Sequence, residues 1–166
     1  MITVMGLGFV GLTTGLGFAE HGHKVFGYDI DSRLMARLEN GEIPFYEPEL
    51  GIKLKQHLAS GNFRLVDNLA AAITASRYIF ICVGTPNRKG GGINLDFVVQ
   101  AVDAVIKNHS AQSFRTIVIK STVVPGTVRD FIRPHIEQQG LRIGKDIGLA
   151  RSEERRVGKE CRSRWS

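Results

Sequence analysis

The sequence has 166 residues, and its balance of 43% hydrophobic and 23% charged residues is ordinary for one globular domain. Half of the net charge of +6 comes from residues 151–166, so the rest lacks the basic surface that nucleic-acid binding requires. No apolar run approaches the length of a membrane-spanning helix. We therefore expect neither a nucleic-acid partner nor a membrane partner.

The beginning of the chain, the cysteines and the histidines give further expectations. The segment MITVMG is typical of a strand and shows no basic-then-apolar leader, which favours a cytoplasmic protein. Cys82 lies in an apolar run and Cys161 near the end, and their spacing fits neither a disulfide framework nor a zinc site. The five histidines share no face or ligand spacing, so we predict no metal site. Cys82 is expected to be a buried apolar residue.

Short apolar runs alternate with amphipathic helical patterns along the chain. The predicted strands are residues 2–5, 24–29, 63–66, 78–83, 116–121 and 146–150. The predicted helices are residues 10–21, one capped by Asp31 or Ser32 and closed by Gly41, one from Glu47-Pro48 to Gly61, and residues 68–76, 95–108 and 126–139. This alternation predicts an α/β fold with a doubly wound, Rossmann-like parallel sheet, formed by one domain over residues 1–150.

A glycine-rich turn, MGLGFVG, joins the first strand to the first helix. It places Gly6, Gly8 and Gly11 in the pattern G-x-G-x-x-G, and the second strand that follows ends in an acid. In such a unit the first glycine makes the tight turn and the second lets the backbone approach a pyrophosphate. The third lets the helix pack on the strand. The segment therefore predicts a dinucleotide site.

The acid at the end of the second strand is Asp29. A carboxylate there accepts hydrogen bonds from ribose hydroxyls and repels a 2′-phosphate, which favours NAD over NADP. Asp31 competes for this role, although we expect it to cap the next helix. Arg33 is interpreted as a solvated helix residue that contacts the cofactor.

Two further turns follow strands at the same edge of the predicted sheet. VGTP places Thr85 and Pro86 after the fourth strand, and KSTVVPGT places Ser121, Thr122 and Pro125 after the fifth. Hydroxyls at such positions hold cofactor oxygens or an ordered water, but the same residue types are also ordinary turn and cap residues. Because both loops are expected at one crevice, we favour a functional role. The glycine-rich segment NRKGGG is either a mobile lid or a plain flexible loop.

Five segments together resemble the nucleotide-sugar dehydrogenases, the UDP-glucose/GDP-mannose dehydrogenase family. They lie within residues 1–150 and are GLGFVGL, FAEHGHKVFGYDID, NGEIPFYEPEL, FICVGTP and IKSTVVPGT. The first is shared with other dehydrogenases, whereas FYEPEL, VGTP and KSTVVPGT make the resemblance specific. One departure concerns Leu34, where many members of the family have a lysine near the adenosine ribose.

The resemblance implies roles for individual residues. The turn from Gly6 to Gly11, with Phe9 and Val10, would hold the NAD pyrophosphate, and Asp29 would bind ribose. Thr85 and Thr122, from the two later turns, would line the nicotinamide side, and their neighbours Pro86 and Ser121 would also bind the cofactor. Thr122 is similar to a family threonine that helps to hold a catalytic water, and it is our candidate catalytic residue. Arg33 would replace the contact that Leu34 does not make.

The family oxidises the C6 alcohol of a nucleotide sugar to a carboxylate in two hydride transfers that use two NAD. A cysteine thiolate captures the intermediate aldehyde, and water later hydrolyses the thioester. The family places this cysteine, a lysine and a glutamate segment beyond residue 150, so we expect a truncated cofactor domain that is inactive alone. UDP-glucose, oxidised to UDP-glucuronate, is the expected substrate of an intact homo-oligomeric enzyme. GDP-mannose, a UDP-N-acetylhexosamine and a non-catalytic NAD-binding module remain alternatives.

The last residues, 151–166, read RSEERRVGKECRSRWS and show no helical or strand period. They are similar to the translation of a sequencing-adapter read. Because the segment cannot bury enough apolar surface to offset its ordering entropy, we expect a non-native, disordered tail.

Overall fold

Six parallel strands form one sheet in the order β3-β2-β1-β4-β5-β6. The computed structural model describes residues 1–88, 91–110 and 113–152. The strands are β1 Ile2–Met5, β2 Val25–Tyr28, β3 Phe63–Leu65, β4 Tyr78–Ile81, β5 Arg115–Ile119 and β6 Ile147–Arg151. The chain runs outwards from β1 to β3 and then crosses back to β4 on the other side of β1. This change of direction opens a crevice at the carboxyl ends of β1 and β4, where ligands bind in open α/β sheets.

Helices cover both faces of the sheet and enclose two apolar cores. They are α1 Phe9–Glu20, α2 Ser32–Glu39, α3 Leu50–Ser60, α4 Leu69–Ala75, α5 Asp96–Lys107 and α6 Arg133–Gln138. The first three pack on one face through residues such as Leu16, Leu38 and Leu54. The last three pack on the other face, where Val102 and Ile136 are fully buried. The doubly wound fold predicted from the sequence is therefore confirmed.

Two strands end earlier than the apolar runs predict. The N–H groups of Lys120 and Ser121 both donate to the carbonyl oxygen of Ile81, at 2.8 and 3.0 Å. This convergence ends the regular ladder between β4 and β5, so the residues after Ile81 and Ile119 form loops. Because these strands are shorter than predicted, Thr85, Ser121 and Thr122 lie in loops at the edge of the crevice.

The predicted helix over residues 126–139 is divided into two parts. A π-helical stretch covers Val128–Ile132, and α6 begins at Arg133. Pro134 has no N–H to donate to the carbonyl of Asp130, so regular α-helical hydrogen bonding cannot continue through this point.

The sixth strand extends beyond the expected domain boundary at residue 150. Arg151 pairs with Ile119 in the parallel ladder, and the N–H of Ser152 donates to the carbonyl oxygen of Ile119 at 3.1 Å. The remainder of the expected disordered tail, residues 153–166, lies outside the described residues, as do Lys89 and Gly90 of the glycine-rich segment. Among the described helices, none has both the length and the apolar character needed to cross a bilayer.

Candidate cofactor-binding site

A cavity of about 570 Å³ lies at the carboxyl ends of β1, β2, β4 and β5. Its walls come from the glycine turn, the end of β2, the loops after β4 and β5, and one face of α5. Among the residues predicted from the sequence, those that line it are Gly6, Gly8, Phe9, Val10, Asp29, Thr85, Ser121 and Thr122. Gly11, Arg33 and Pro86 do not line it. The topology thus brings four separate sequence segments to one cavity: the glycine turn, the end of β2, and the loops after β4 and β5.

At the first and third glycines of the turn, contacts within the protein exclude any side chain. Gly6 has φ +89°, and a Cβ there would lie 2.8 Å from the carbonyl carbon of Cys82. A Cβ on Gly11 would lie 1.7 Å from the carbonyl oxygen of Gly6, so α1 packs against the turn too closely for any side chain. Gly11 is therefore a packing residue that shapes the turn from behind.

The second glycine has a different environment. A Cβ built on Gly8 meets no atom within 4 Å, and Gly8 has φ −65°, a conformation open to any residue. Nothing in the fold therefore demands glycine at this position. A side chain there would project into the cavity at the start of α1, where the helix dipole and the first N–H groups favour an anion. The space in front of Gly8 fits a dinucleotide pyrophosphate.

Asp29 is tied to the glycine turn by its own side chain. Its Oδ2 accepts a hydrogen bond from the Leu7 N–H at 2.6 Å, and its Oδ1 accepts one from the Asp31 N–H at 3.0 Å. These bonds fix the orientation of a half-buried carboxylate at the cavity wall. Each oxygen keeps acceptor capacity that can face a ligand. The carboxylate is thus held in place for hydroxyl donors such as those of a ribose.

Asp31 caps α2, as the sequence predicts. Its Oδ1 accepts hydrogen bonds from the N–H groups of Arg33 and Leu34, at 2.9 and 3.3 Å. The side chains of Asp31 and Leu34 also line the cavity, whereas Arg33 does not. The structure therefore gives Arg33 no contact with the cavity.

The loops after β4 and β5 are joined to each other by two hydroxyl groups. Thr85 Oγ1 donates to the carbonyl oxygen of Thr122 at 2.8 Å, and Ser121 Oγ donates to the carbonyl oxygen of Val83 at 2.7 Å. Ser121 is buried, so its hydroxyl acts within the protein. Thr122 is exposed at the cavity edge, where its side chain can meet a ligand.

Cys82 is a buried residue behind the glycine turn, as the sequence predicts. Burial raises the pKa of its thiol to about 12, and the nearby charge of Lys120 offsets only part of this rise. The thiol therefore stays protonated at neutral pH and is a poor nucleophile. Within residues 1–88, 91–110 and 113–152, no three His, Cys, Asp or Glu side chains are grouped to hold a metal.

The face of α5 towards the cavity was not anticipated. Phe97, Gln100, Ala101 and Ala104 line the cavity and follow one another at helical spacing. The available signal is this i, i+3, i+4, i+7 stripe, which lies beside the buried valines of the same helix and shares Ala101 with the core. A second missed contact is the edge-to-face packing of Phe45 on Phe9, with ring centroids 5.2 Å apart.

Comparison with known proteins agrees with this geometry. The family model for the NAD-binding domain of the UDP-glucose/GDP-mannose dehydrogenase family matches residues 1–160, beyond the end of the expected resemblance at residue 150. The chain belongs to the UDP-glucose/GDP-mannose dehydrogenase family. Its described part is the family's NAD-binding domain, and its cofactor is NAD.

Three relatives illustrate the range of this dehydrogenase family. GDP-mannose 6-dehydrogenase from Pseudomonas syringae pv. tomato is 37% identical over 153 residues, which are 90% of this chain and 34% of that protein. UDP-glucose 6-dehydrogenase from Rhizobium meliloti is 41% identical over 127 residues, which are 76% of this chain and 29% of that protein. The structure of UDP-N-acetyl-mannosamine dehydrogenase from Staphylococcus aureus has a TM-score of 0.81 and 35% identity, covering 93% of this chain and 36% of that one. The chain spans about a third of the length of the curated relatives it matches.

Proposed function

We propose that this chain is the cofactor domain of a longer dehydrogenase that oxidises UDP-glucose to UDP-glucuronate with two NAD. The observation that carries the proposal is the single cavity shared by the glycine turn, Asp29 and Thr122. A ligand that spans these groups would be elongated, with an anionic group at the glycine turn and hydroxyl donors at Asp29. NAD has this form, and it supplies the hydride acceptor for alcohol oxidation.

The glycine turn and Asp29 would bind the adenosine half of the cofactor. The start of α1, including Phe9 and Val10, would face the pyrophosphate across the space in front of Gly8. Asp29, held by the Leu7 N–H, would accept hydrogen bonds from the ribose hydroxyls. The same carboxylate would repel the 2′-phosphate of NADP.

Thr122 would act at the nicotinamide end, where we assign it the role of holding a water molecule near the reacting carbon. Its loop is bonded to the loop after β4 through the hydroxyls of Thr85 and Ser121, so these two hydrogen bonds set the position of its exposed side chain. Such positioning is what hydrolysis of a covalent intermediate requires of a protein group. Pro86 follows Thr85 in the loop after β4 and would contribute by restricting the backbone of that loop.

The nucleotide sugar is the least constrained part of the proposal. UDP-glucose is supported by the 41% identity to the Rhizobium meliloti enzyme, whereas the segment STVVPGT leans towards relatives that act on N-acetylated sugars. The alternative GDP-mannose is supported by the longer match to the Pseudomonas enzyme, which covers 90% of this chain. The likeness to the Staphylococcus aureus structure supports a UDP-N-acetylhexosamine. Under each alternative the sugar would bind largely to residues outside this chain, in a cytoplasmic homo-oligomer.

The test has two arms. In the first, NAD and NADP are titrated into residues 1–166, and we expect NAD binding without NADH formation from UDP-glucose. In the second, the gene is sequenced past the codon for Arg151, and the protein it encodes is assayed with UDP-glucose, GDP-mannose and UDP-N-acetylmannosamine. We expect two NADH per UDP-glucose. A full-length protein that binds NAD and oxidises none of the three sugars would leave only a non-catalytic NAD-binding module.

A further inference from the structure

We propose that Gln100 determines the base specificity of the cofactor site by hydrogen bonding to the adenine of NAD. The inference rests on the proposed ribose role of Asp29. A nucleotide base is attached to its ribose on the side away from the phosphate. With the pyrophosphate at Gly8 and the ribose at Asp29, the base must occupy the part of the cavity beyond Asp29.

The cavity has exposed apolar side chains from two parts of the chain. Ile30 directly follows Asp29 and is 74% exposed, and Leu34 of the next helix also lines the cavity. Phe97 of α5 lines the same cavity and is 38% exposed. Large apolar side chains left this open beside a cavity gain burial when a flat aromatic ring enters between them.

The stripe on α5 lines the same cavity. Ala101 is buried and Ala104 is half-buried, and because both carry only methyl groups they leave room for a shallow groove along the helix. An adjacent face of α5 is packed into the core through Val98, Val102 and Val105, and Ala101 belongs to the same buried cluster. The core therefore holds the helix in place, and the groove is a fixed feature of the fold.

Gln100 is the one uncharged polar side chain that α5 directs to this groove among the described residues. It is exposed, and within the described part of the chain its amide has no hydrogen-bond partner. A side-chain amide offers an acceptor and a donor side by side, which complements the N6 amino group of adenine and an adjacent ring nitrogen. Gln100 Oε1 would accept from N6, and Nε2 would donate to the ring nitrogen.

The first experiment compares NAD with its 1,N6-ethenoadenine analogue, in which the N6 group has lost its hydrogens. Both are titrated into residues 1–166 of the wild type, of Gln100→Leu and of the control Gln56→Leu, whose exposed glutamine lies on α3 away from the cavity. We expect Gln100→Leu to weaken NAD about tenfold, as two modest hydrogen bonds would, and the analogue less than threefold. The control should change neither affinity.

A second variant tests the location of the base independently of its hydrogen bonds. Ala104→Leu fills the groove, and we expect it to weaken NAD and the analogue alike, by more than tenfold. Ala70→Leu, at an exposed alanine of α4, should have no effect. Circular dichroism confirms that each variant keeps the wild-type fold.

The outcomes separate this inference from the proposed function. If the wild type binds NAD and Gln100→Leu weakens NAD and the analogue equally or not at all, Gln100 does not read the base. Unchanged affinities in Ala104→Leu would place the base elsewhere. If the wild type binds no NAD, the proposed cofactor site fails, and the base subsite fails with it.

Discussion

Thr85 and Thr122 are joined by a hydrogen bond from the hydroxyl of the first to the carbonyl oxygen of the second, at 2.8 Å. The two residues follow different strands and are 37 positions apart in the sequence. The bond makes the loops after β4 and β5 one wall of the cofactor cavity. The position of the Thr122 side chain therefore depends on a hydroxyl that need not touch the cofactor itself.

Replacing Thr85 with valine tests this dependence. Thr85→Val keeps the shape of the side chain and removes the donor, so we expect the free energy of unfolding to fall by about 1 kcal/mol. NAD affinity should also fall, because the Thr122 loop is released. Urea denaturation and NAD titration measure the two effects. Thr74→Val, which removes a hydroxyl bonded within α4, is the control that should leave NAD affinity unchanged.

The sequence predicts the fold well because the signals are local and repeated. Apolar runs, glycine ends and caps such as Asp31 each report on one element, and right-handed crossovers leave few ways to assemble them. The predicted strand ends are wrong where tertiary contacts determine them. One example is Ile81, whose carbonyl oxygen accepts hydrogen bonds from two N–H groups that follow β5. The buried Arg115 could not be predicted either. Its guanidinium donates to the carbonyl oxygens of Ile73 and Thr74, which belong to α4, far from Arg115 in the sequence.

In the candidate site, too, residues marked by a local sequence pattern could be predicted, and residues placed by tertiary packing could not. The glycine turn and Asp29 are recognisable because their spacing is fixed by the cofactor chemistry. The α5 stripe is not, because alanines and a phenylalanine at helical spacing are equally typical of a core-facing surface. Only the position of α5 beside the cavity distinguishes Gln100 from other exposed glutamines.

Gly8 and Gly11 should respond in opposite ways to the same substitution. Gly8→Ala places a methyl group in open cavity space, so we expect unfolding free energy within about 0.5 kcal/mol of wild type and a large loss of NAD affinity. Gly11→Ala forces a Cβ against the Gly6 carbonyl, and we expect destabilisation of about 3 kcal/mol or more. Thermal unfolding and NAD titration distinguish the two. A Gly8→Ala protein that binds NAD normally would contradict the pyrophosphate site.

Asp29 should control the choice between NAD and NADP. Asp29→Asn removes the negative charge while its remaining carbonyl oxygen can still accept the Leu7 N–H. We expect NAD to bind roughly 10- to 100-fold more weakly, as loss of a charge-assisted hydrogen bond implies, and the preference over NADP to narrow. Both cofactors are titrated into both proteins. An unchanged ratio of affinities would remove Asp29 from the ribose site.

The Cys82 thiol should be inert in the folded protein. With a pKa of about 12, only about one thiol in ten thousand is ionised at pH 8, and the thiolate is the reactive form. In a Cys161→Ser background, we expect almost no reaction with a disulfide reagent at pH 8 and one equivalent after urea is added. The rate should rise about tenfold per pH unit between pH 8 and pH 10. Rapid labelling of the native protein at pH 8 would show that the thiol is neither buried nor suppressed.

Glu49 should be destabilising in its present position at the start of α3. It is the one non-glycine residue with positive φ in the described chain, at 64°, a left-handed conformation that a Cβ makes unfavourable. Glu49→Gly removes this strain, and after the greater freedom of glycine in the unfolded chain is subtracted, we expect a gain of about 0.5–1 kcal/mol. Glu49→Ala is the matched control, because it removes the carboxylate and keeps the Cβ. If backbone strain is the cause, urea midpoints should rank Glu49→Gly above the wild type, with Glu49→Ala no higher than the wild type. If the alanine variant gains as much as the glycine variant, the carboxylate rather than the backbone is responsible.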